Sequence, residues 1–242
     1  MADLFDQNLK KDMPLAERLR PLIFDGFFGQ EEIIGPGTIL RQAIEQDSIP
    51  SIIFWGPPGC GKTTLARVIA NLTKSAFIQM SAVSGSVKQV REIIEQAKNR
   101  KKFHNQKTIL FVDEIHRFNK AQQDGFLPVV EDGTIVLIGA TTENPSFEVI
   151  SPLLSRASVF VLKSLKSSEI AQILRLGLIS DKELLKKKIE VHAEAMDYLA
   201  NMSAGDARTA LNAFELAVNT TKPDKNGIII IDKKTVSQSL QK

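Results

Sequence analysis

The sequence predicts an α/β fold, a five-stranded parallel sheet flanked by helices, followed by a small helical domain. Between Ser51 and Leu162, short apolar runs alternate with helical stretches. The runs are SIIFW, AFIQM, TILFV, TIVLIG and VFVL, and helices are expected over 62–72, 87–100 and 119–131. Strands that alternate with helices form parallel sheets covered on both faces, whose strands consist almost entirely of apolar residues.

The pattern of apolar and polar residues changes after Leu162. Helical periodicity dominates in SSEIAQILRLGL, HAEAMDYLANMS and GDARTALNAFELAV, whereas GIIIIDKKTVSQSL predicts a short strand and then a helix. Near the start, PLAERLRP predicts a short amphipathic segment bounded by Pro14 and Pro21. We therefore expect a tail over 1–13, a nucleotide-binding α/β domain over 14–164 and a helical lid domain over 165–242.

Composition limits the classes of protein. The 242 residues are 43% hydrophobic, enough to bury a full core, and the net charge of +3 does not by itself indicate a nucleic-acid binder. The single cysteine, Cys60, excludes an intramolecular disulfide framework and is typical of a reducing compartment. No apolar run is long enough to cross a membrane, and the start lacks the apolar segment of a signal peptide. We expect a cytoplasmic protein with no membrane partner.

A phosphate-binding loop is the strongest local signal. GPPGCGKTT fits G-x-x-x-x-G-K-[ST] and lies between an apolar strand and a helix. Such loops wrap a polyphosphate with backbone N–H groups at a helix N-terminus. Lys62 is expected to reach the outer phosphates of ATP, and the Thr63 hydroxyl is expected to bind Mg²⁺. The candidate nucleotide-binding residues are Gly56, Pro57, Pro58, Gly59, Cys60, Gly61, Lys62, Thr63 and Thr64.

The stretch ILFVDEIHRFNK supplies an acidic pair at the end of a buried strand. Beside the loop, Asp113 is a candidate for the magnesium shell and Glu114 for the general base that orients water. His116 lies outside any H-E-x-x-H zinc motif. It either couples the site to a neighbouring subunit or DNA, or forms local hydrogen bonds in a turn.

These two motifs, together with TIVLIGATTENP, PLLSRASVFVL and SAGDARTALN, resemble the AAA+ ATPases, which are P-loop NTPases. The resemblance implies that Thr142, or its neighbour Thr141, senses the terminal phosphate. It also implies that Arg156 is a finger reaching the nucleotide of the next subunit, and that Arg208 is a second sensor on the lid.

A region with RLRP and FFGQ is similar to the segment that packs around adenine in clamp loaders. This similarity implies adenine contacts for Arg20, Pro21 and Gln30. With Glu114, Lys62, Thr142, Arg156 and Arg208 as candidate catalytic residues, the expected cofactors are ATP and Mg²⁺.

Longer sequence segments narrow the resemblance to one family. PLAERLRP, SAVSGSVKQVR, FVDEIHRFNKAQQDGFLPVVEDGTI and IGATTENPSFEV resemble the replication-associated recombination protein A family, which includes the Werner-helicase-interacting ATPases. This implies a DNA-dependent ATPase acting in maintenance, repair and recombination at stalled replication forks, and a cytoplasmic, nucleoid-associated location. The implied partners are single-stranded DNA, duplex ends or forks, single-strand-binding protein, and further copies in a homo-tetramer. Because family members continue through a helical oligomerisation region beyond the position of Lys242, we expect a fragment.

Two alternatives stay open. One is a Holliday-junction branch-migration motor, which the segments GPPGxGKTTLA, DEIHR and IGATT also resemble. The other is a nucleotide-switched scaffold with little turnover. The basic stretches KNRKK and KKK could neutralise DNA phosphates, but a solvated helix end explains each of them better, so we assign no DNA-binding residues.

Overall fold

The computed structural model describes residues 13–240. The predicted tail over 1–13 therefore lies outside the described residues, apart from Met13. Within the described part, the chain divides into two compact units. The sheet unit contains residues 22–24 and 30–163, and the helical unit contains 13–21, 25–29 and 164–240.

The sheet unit is built on five parallel strands, as predicted. They are β1 (Ser51–Trp55), β2 (Ala76–Ser81), β3 (Thr108–Asp113), β4 (Val136–Thr141) and β5 (Ala157–Val161). Their order is β2-β3-β4-β1-β5, and every neighbouring pair is parallel. The predicted fold class is confirmed, with β4 ending two residues later than the apolar run TIVLIG.

Both faces of the three central strands, β3, β4 and β1, are buried. Ile53, Leu110 and Val112 pack in one cluster with helix Val87–His104. Their chain neighbours Ile52 and Phe111 are also fully buried and, by the alternation of side chains along a strand, lie on the other face. Double burial explains why these strands lack polar alternation.

The other elements of the sheet unit are short except for two helices. They are Glu31–Ile34, Ile39–Glu45, Lys62–Leu72, Val87–His104, a 3-10 turn at Ile115–Arg117, Lys120–Asp124, Leu127–Glu131, Pro145–Glu148 and Ser151–Leu154. The helix predicted over 62–72 is confirmed, and the next continues to His104, where Asn105 adopts a left-handed conformation. The single helix predicted over 119–131 is wrong. Two helices replace it because Pro128 lacks an N–H and is accommodated only in the first turn of a new helix.

The helical unit has its own core. Its elements are Leu15–Arg18, Ser167–Ser180, β6 (Lys188–Val191), Ala193–Met202, Ala207–Thr220, β7 (Ile228–Ile231) and Lys233–Ser239. Phe214, Leu174 and Leu199 are fully buried in one apolar cluster. The predicted strand at β7 is confirmed, but it pairs in parallel with β6, which the lysine-rich stretch around Lys188 did not reveal.

A half-buried arginine holds the first helix in this unit. Arg18 forms a bidentate ion pair with Asp181, with N–O distances of 2.8 and 3.0 Å, and also donates a hydrogen bond to the Glu215 carboxylate at 2.8 Å. Leu15 is fully buried, and its N–H donates to Glu215 at 2.8 Å. Residues 13–21 thus cluster with the helical unit, whereas the expected domain division placed residues 14–21 with the sheet.

The Asp181 carboxyl titrates below its ordinary range. Burial raises its pKa, but the hydrogen bond from Arg18, the Leu184 N–H and the Arg18 charge together lower the pKa by more. A carboxyl with a depressed folded-state pKa stabilises the fold above its unfolded pKa of about 3.9, and this contribution is lost as the pH falls through the folded value.

We expect Arg18→Met to destabilise the helical unit by about 3 kcal/mol near pH 7, because it leaves Asp181 buried without its cation. The measurement is amide hydrogen exchange in helix Ala207–Thr220. The exposed Arg175, changed to Met, is the control and should cost less than about 0.5 kcal/mol. The difference between wild type and Arg18→Met should shrink below about pH 4. A difference independent of pH would contradict the assignment to Asp181.

Candidate functional site

The candidate site lies at the carboxyl edge of the sheet, where β1, β4 and β3 end side by side. In open parallel sheets, ligands bind outside the carboxyl ends of the strands. The loop after β1 begins at Gly56, whose N–H donates to the carbonyl oxygen of Thr141 at 3.1 Å. The acidic pair lies at the end of β3, which is the other neighbour of β4. The predicted phosphate loop, acidic pair and threonines therefore converge on one edge.

Glycine is required by geometry at two points of the loop. A Cβ on Gly56 would lie 2.3 Å from the carbonyl oxygen of Leu162, so no larger residue fits. Gly61 precedes helix Lys62–Leu72 with φ of 104°, in the region that favours glycine. Cys60 is buried, Pro57 is half-buried and Pro58 is exposed. The backbone around these residues sets the shape of the loop.

Lys62 reaches back over the loop. Its Nζ donates to the carbonyl oxygens of Gly56 at 2.7 Å and Pro57 at 2.8 Å, and the residue is 8% exposed. A buried cation at the N-terminus of an 11-residue helix makes the region electropositive. Thr63 and Thr64 are half-buried in the first helical turn. This arrangement suits a polyanion, which would compete with the two carbonyls for Lys62.

Oxygen donors at the same edge suit magnesium. Asp113 is the last residue of β3, and its backbone carbonyl accepts from Ala82 at 2.9 Å. The Asp113 carboxylate and the Thr63 hydroxyl are the kind of sparse oxygen set that Mg²⁺ uses when phosphates and water complete its shell. The residues present therefore fit the ion.

Glu114 has an unusual backbone. Its φ of 55° is left-handed, which is uncommon for a residue with a side chain. The turn that follows is anchored by Ile115, which is fully buried against β4. The glutamate side chain remains 35% exposed at the edge, where a base could meet water.

His116 links this glutamate to β4. Its Nε2 lies 3.3 Å from Oε2 of Glu114, and its Nδ1 is hydrogen-bonded to Oγ1 of Thr141 at 2.9 Å. The imidazole is 8% exposed. His116 therefore contacts one group in its own turn and one on β4. Sequence reasoning missed Thr141 as its partner, because 25 residues separate the two.

The two threonines differ in burial. Thr141 is fully buried, and its hydroxyl accepts from the Glu143 N–H at 3.0 Å, whereas Thr142 is half-buried just past the end of β4. Thr142 is therefore the more accessible of the two for a phosphate. Its role as a sensor stays a prediction.

The residues predicted for adenine fall in two units. In the sheet unit, the Gln30 amide accepts from the Lys163 N–H at 3.0 Å and donates to the Lys163 carbonyl at 2.7 Å and the Cys60 carbonyl at 3.3 Å. Arg20 and Pro21 belong to the helical unit, where Arg20 pairs with Glu17 at 2.8 Å. Gln30 thus supports the loop backbone, and contact with adenine stays a prediction.

The two predicted arginines also lie in different units. Arg156 precedes β5, is 40% exposed and pairs with Glu131 at 2.6 Å. Arg208 is exposed in the first turn of helix Ala207–Thr220, which is capped by Asp206 through a 3.0 Å bond from the Thr209 N–H. Their catalytic roles stay predictions.

Comparison with known proteins identifies the class. Residues 52–165 match the ATPase family associated with various cellular activities (AAA), and residues 185–242 match the AAA C-terminal domain. With its phosphate loop on a parallel sheet, the chain belongs to the AAA ATPases. Among named proteins it is similar to replication-associated recombination protein A, which confirms the resemblance seen in the sequence. It is 50% identical over 215 residues to that protein from Haemophilus influenzae, covering 88% of this chain and 48% of the relative.

Other relatives agree. The replication-associated recombination protein A of Escherichia coli K12 is 45% identical over 227 residues, covering 93% of this chain and 50% of the relative. The ATPase WRNIP1 of Dictyostelium discoideum is 41% identical over 223 residues, covering 91% of this chain and 25% of that protein. The chain thus spans half or less of these relatives.

Among solved structures, the Thermotoga maritima RuvB Holliday junction branch migration motor is similar, with a TM-score of 0.71 and 26% identity over 92% of this chain and 72% of that one. Across residues 13–240, no helix is both long and apolar enough to span a membrane.

We expect Lys62→Met to weaken ATP binding by the 242-residue chain more than about tenfold, because a charge-assisted bond to phosphate is lost. Calorimetric titration with ATP and Mg²⁺ measures this. Lys88→Met, which removes a lysine 88% exposed on the same unit, is the matched control and should bind like wild type. Equal affinity of the Lys62 variant and wild type would remove Lys62 from the binding site.

Proposed function

We propose that this chain is the ATP-hydrolysing part of a DNA-dependent ATPase that acts in maintenance, repair and recombination at stalled replication forks. One observation carries the proposal: the loop of Lys62, which follows β1, and the carboxylates of Asp113 and Glu114, at the end of β3, lie at the same edge of the sheet on either side of β4. The likeness to replication-associated recombination protein A supports the cellular role.

The residues divide the chemistry among them. Lys62 and the loop N–H groups bind and orient the ATP phosphates, and Thr142 contacts the terminal one. Bound Mg²⁺, held through Thr63 and Asp113, would neutralise developing charge on the phosphate oxygens. Glu114 accepts a proton from the attacking water, because its partly exposed carboxylate lies at the same edge.

Arg156 fits a role on the nucleotide of a neighbouring subunit. Ser51 pairs with Ala157 and Trp55 with Val161, so the residue before β5 and the loop after β1 lie at opposite edges of the sheet. At ~3.3 Å per residue, this places them about 20 Å apart along the strands. A finger from Arg156 therefore could not reach the site of its own chain, and it requires a homo-oligomer.

The remaining roles follow from the family. This proposal includes a nucleotide-binding domain over 14–164 and a lid over 165–242. It also includes contacts of Arg20, Pro21 and Gln30 with adenine, and a second-sensor role for Arg208. DNA, single-strand-binding protein and a tetrameric assembly of the whole protein complete it. The proposed location is the cytoplasm, at the nucleoid.

A Holliday-junction branch-migration motor is a second candidate, favoured by the structural likeness to Thermotoga maritima RuvB. The identity of 26% to that motor, against 50% to replication-associated recombination protein A, favours the fork role. A scaffold with little turnover is the third candidate, and steady-state ATPase with and without DNA ends separates it from the other two.

We expect Glu114→Gln in the whole protein to keep ATP affinity within about twofold and to lower DNA-stimulated turnover at least about a hundredfold, because the amide cannot accept the proton from water. The measurement is phosphate release alongside nucleotide titration. Glu143→Gln, at an exposed carboxylate just past β4, is the control. Unchanged hydrolysis in the Glu114 variant would refute the assigned base.

A mixing experiment tests Arg156. Alone, Arg156→Ala and Lys62→Met proteins should both hydrolyse ATP at least about tenfold more slowly than wild type. Mixed assemblies should regain turnover, because the intact loop of one subunit meets the intact arginine of the other. The measurement is ATPase activity against mixing ratio. No recovery in verified mixed assemblies would contradict action between subunits.

A further inference from the structure

His116 lies two residues after Glu114, and the proposed chemistry does not use it. It is nearly buried, yet it contacts two groups at the sheet edge, Glu114 Oε2 at 3.3 Å and Thr141 Oγ1 at 2.9 Å. We propose that His116 is a positioning residue that holds the Glu114 carboxylate and ties its orientation to the end of β4. This rests on the proposed role of Glu114 as general base.

The hydrogen-bonding pattern around Thr141 discriminates between the two neutral tautomers of His116. The Thr141 hydroxyl accepts from the Glu143 N–H and has one hydrogen to donate, either to His116 Nδ1 at 2.9 Å or to the Glu143 carbonyl at 3.3 Å. If it donates to Nδ1, the ring proton sits on Nε2 and faces the Glu114 carboxylate. The opposite tautomer would set the Nε2 lone pair against a carboxylate oxygen. Of the two neutral tautomers, only the Nε2–H form therefore satisfies both contacts of the imidazole.

The backbone holds the imidazole between its partners. Ile115 is fully buried, and it fits against β4 because residue 139 is glycine: a Cβ there would lie 2.9 Å from Ile115 Cδ1. Glu114, one residue earlier, is held at a φ of 55°. A strained conformation persists only where the surroundings fix it, and such positions are frequent at functional sites.

Thr141 extends the link to the phosphate loop. Its carbonyl accepts from Gly56, the first loop residue, while its hydroxyl bonds His116. A displacement of the β4 end on nucleotide binding would thus move both the loop and the imidazole. His116 transmits that displacement to Glu114, so the base is aligned when the loop is in its binding position.

Three variants separate positioning from a structural role. In His116→Asn, the side-chain amide lies where Nδ1 was, so it keeps the bond to Thr141 but does not reach Glu114. In His116→Gln, the amide reaches the place of Nε2 and can donate to Glu114. His116→Ala loses both contacts. If His116 only anchored the turn to β4, Asn would restore function and Gln would not.

We expect His116→Ala and His116→Asn in the whole protein to lower the DNA-stimulated kcat about tenfold, with ATP affinity within about twofold, because hydrogen bonds to charged groups are the stronger ones. His116→Gln should recover most of the loss. Thr141→Val should be slow, and combining it with His116→Ala should cost no more than His116→Ala alone. Wild-type turnover in His116→Asn, or a parallel loss of ATP affinity in all variants, would overturn the inference.

A second measurement does not depend on turnover, so failure of the proposed function is recognised separately. Nitrogen NMR of the ¹⁵N-histidine-labelled 242-residue chain distinguishes the tautomers, and only three histidines need assigning. We expect His116 to carry a proton on Nε2 that exchanges slowly with water and that exchanges faster in Glu114→Ala. A proton on Nδ1 alone, or identical His116 signals in both proteins, would overturn the inference even if wild type hydrolyses ATP.

Discussion

The pairing of β4 between β1 and β3 is the constraint on which the candidate site depends. Parallel strands bring their carboxyl ends to one edge, so the loop after β1 and the acidic pair after β3 flank the threonines that end β4. A slip of one residue would turn every core side chain to the opposite face, so the register depends on the close packing of side chains on each face. Gly139 allows close packing on β4, because a Cβ there would lie 2.7 Å from Ile53 Cδ1.

The sequence was sufficient wherever the signal is local. The loop from Gly56 to Thr64 and the acidic end of β3 were predicted because spacing along the chain sets their chemistry. The central strands β1, β3 and β4 were predicted because double burial makes each an apolar run, and the edge strands β2 and β5 were predicted from apolar runs although they are only partly buried. The strand order β2-β3-β4-β1-β5 could not be predicted from the sequence, since it depends on pairings between residues far apart in the chain.

The same reasoning explains what was missed. β6 was hidden because its inward residues are only half-buried and its outward ones are charged. The contact of His116 with Thr141 joins two elements that no spacing rule connects. The ion pairs of Arg18 with Asp181 and Glu215 span 163 and 197 residues, so the amphipathic segment near the start was visible while its partners were not. Partly buried ion pairs of this kind depend on the tertiary fold, which brings distant residues together, and neither composition nor spacing along the chain predicts them.

Glu114 shows how local preference yields to the fold at the site. A left-handed glutamate costs roughly 1 kcal/mol or more, and asparagine or glycine would adopt this backbone with less strain. The conformation is imposed from both sides, by Asp113 in the β3 ladder and by Ile115 in the core. The turn ends the strand abruptly and leaves the carboxylate partly exposed beside a buried imidazole. The left-handed backbone of Glu114 therefore places its carboxylate at the sheet edge, and the contact with His116 limits the orientation of that carboxylate.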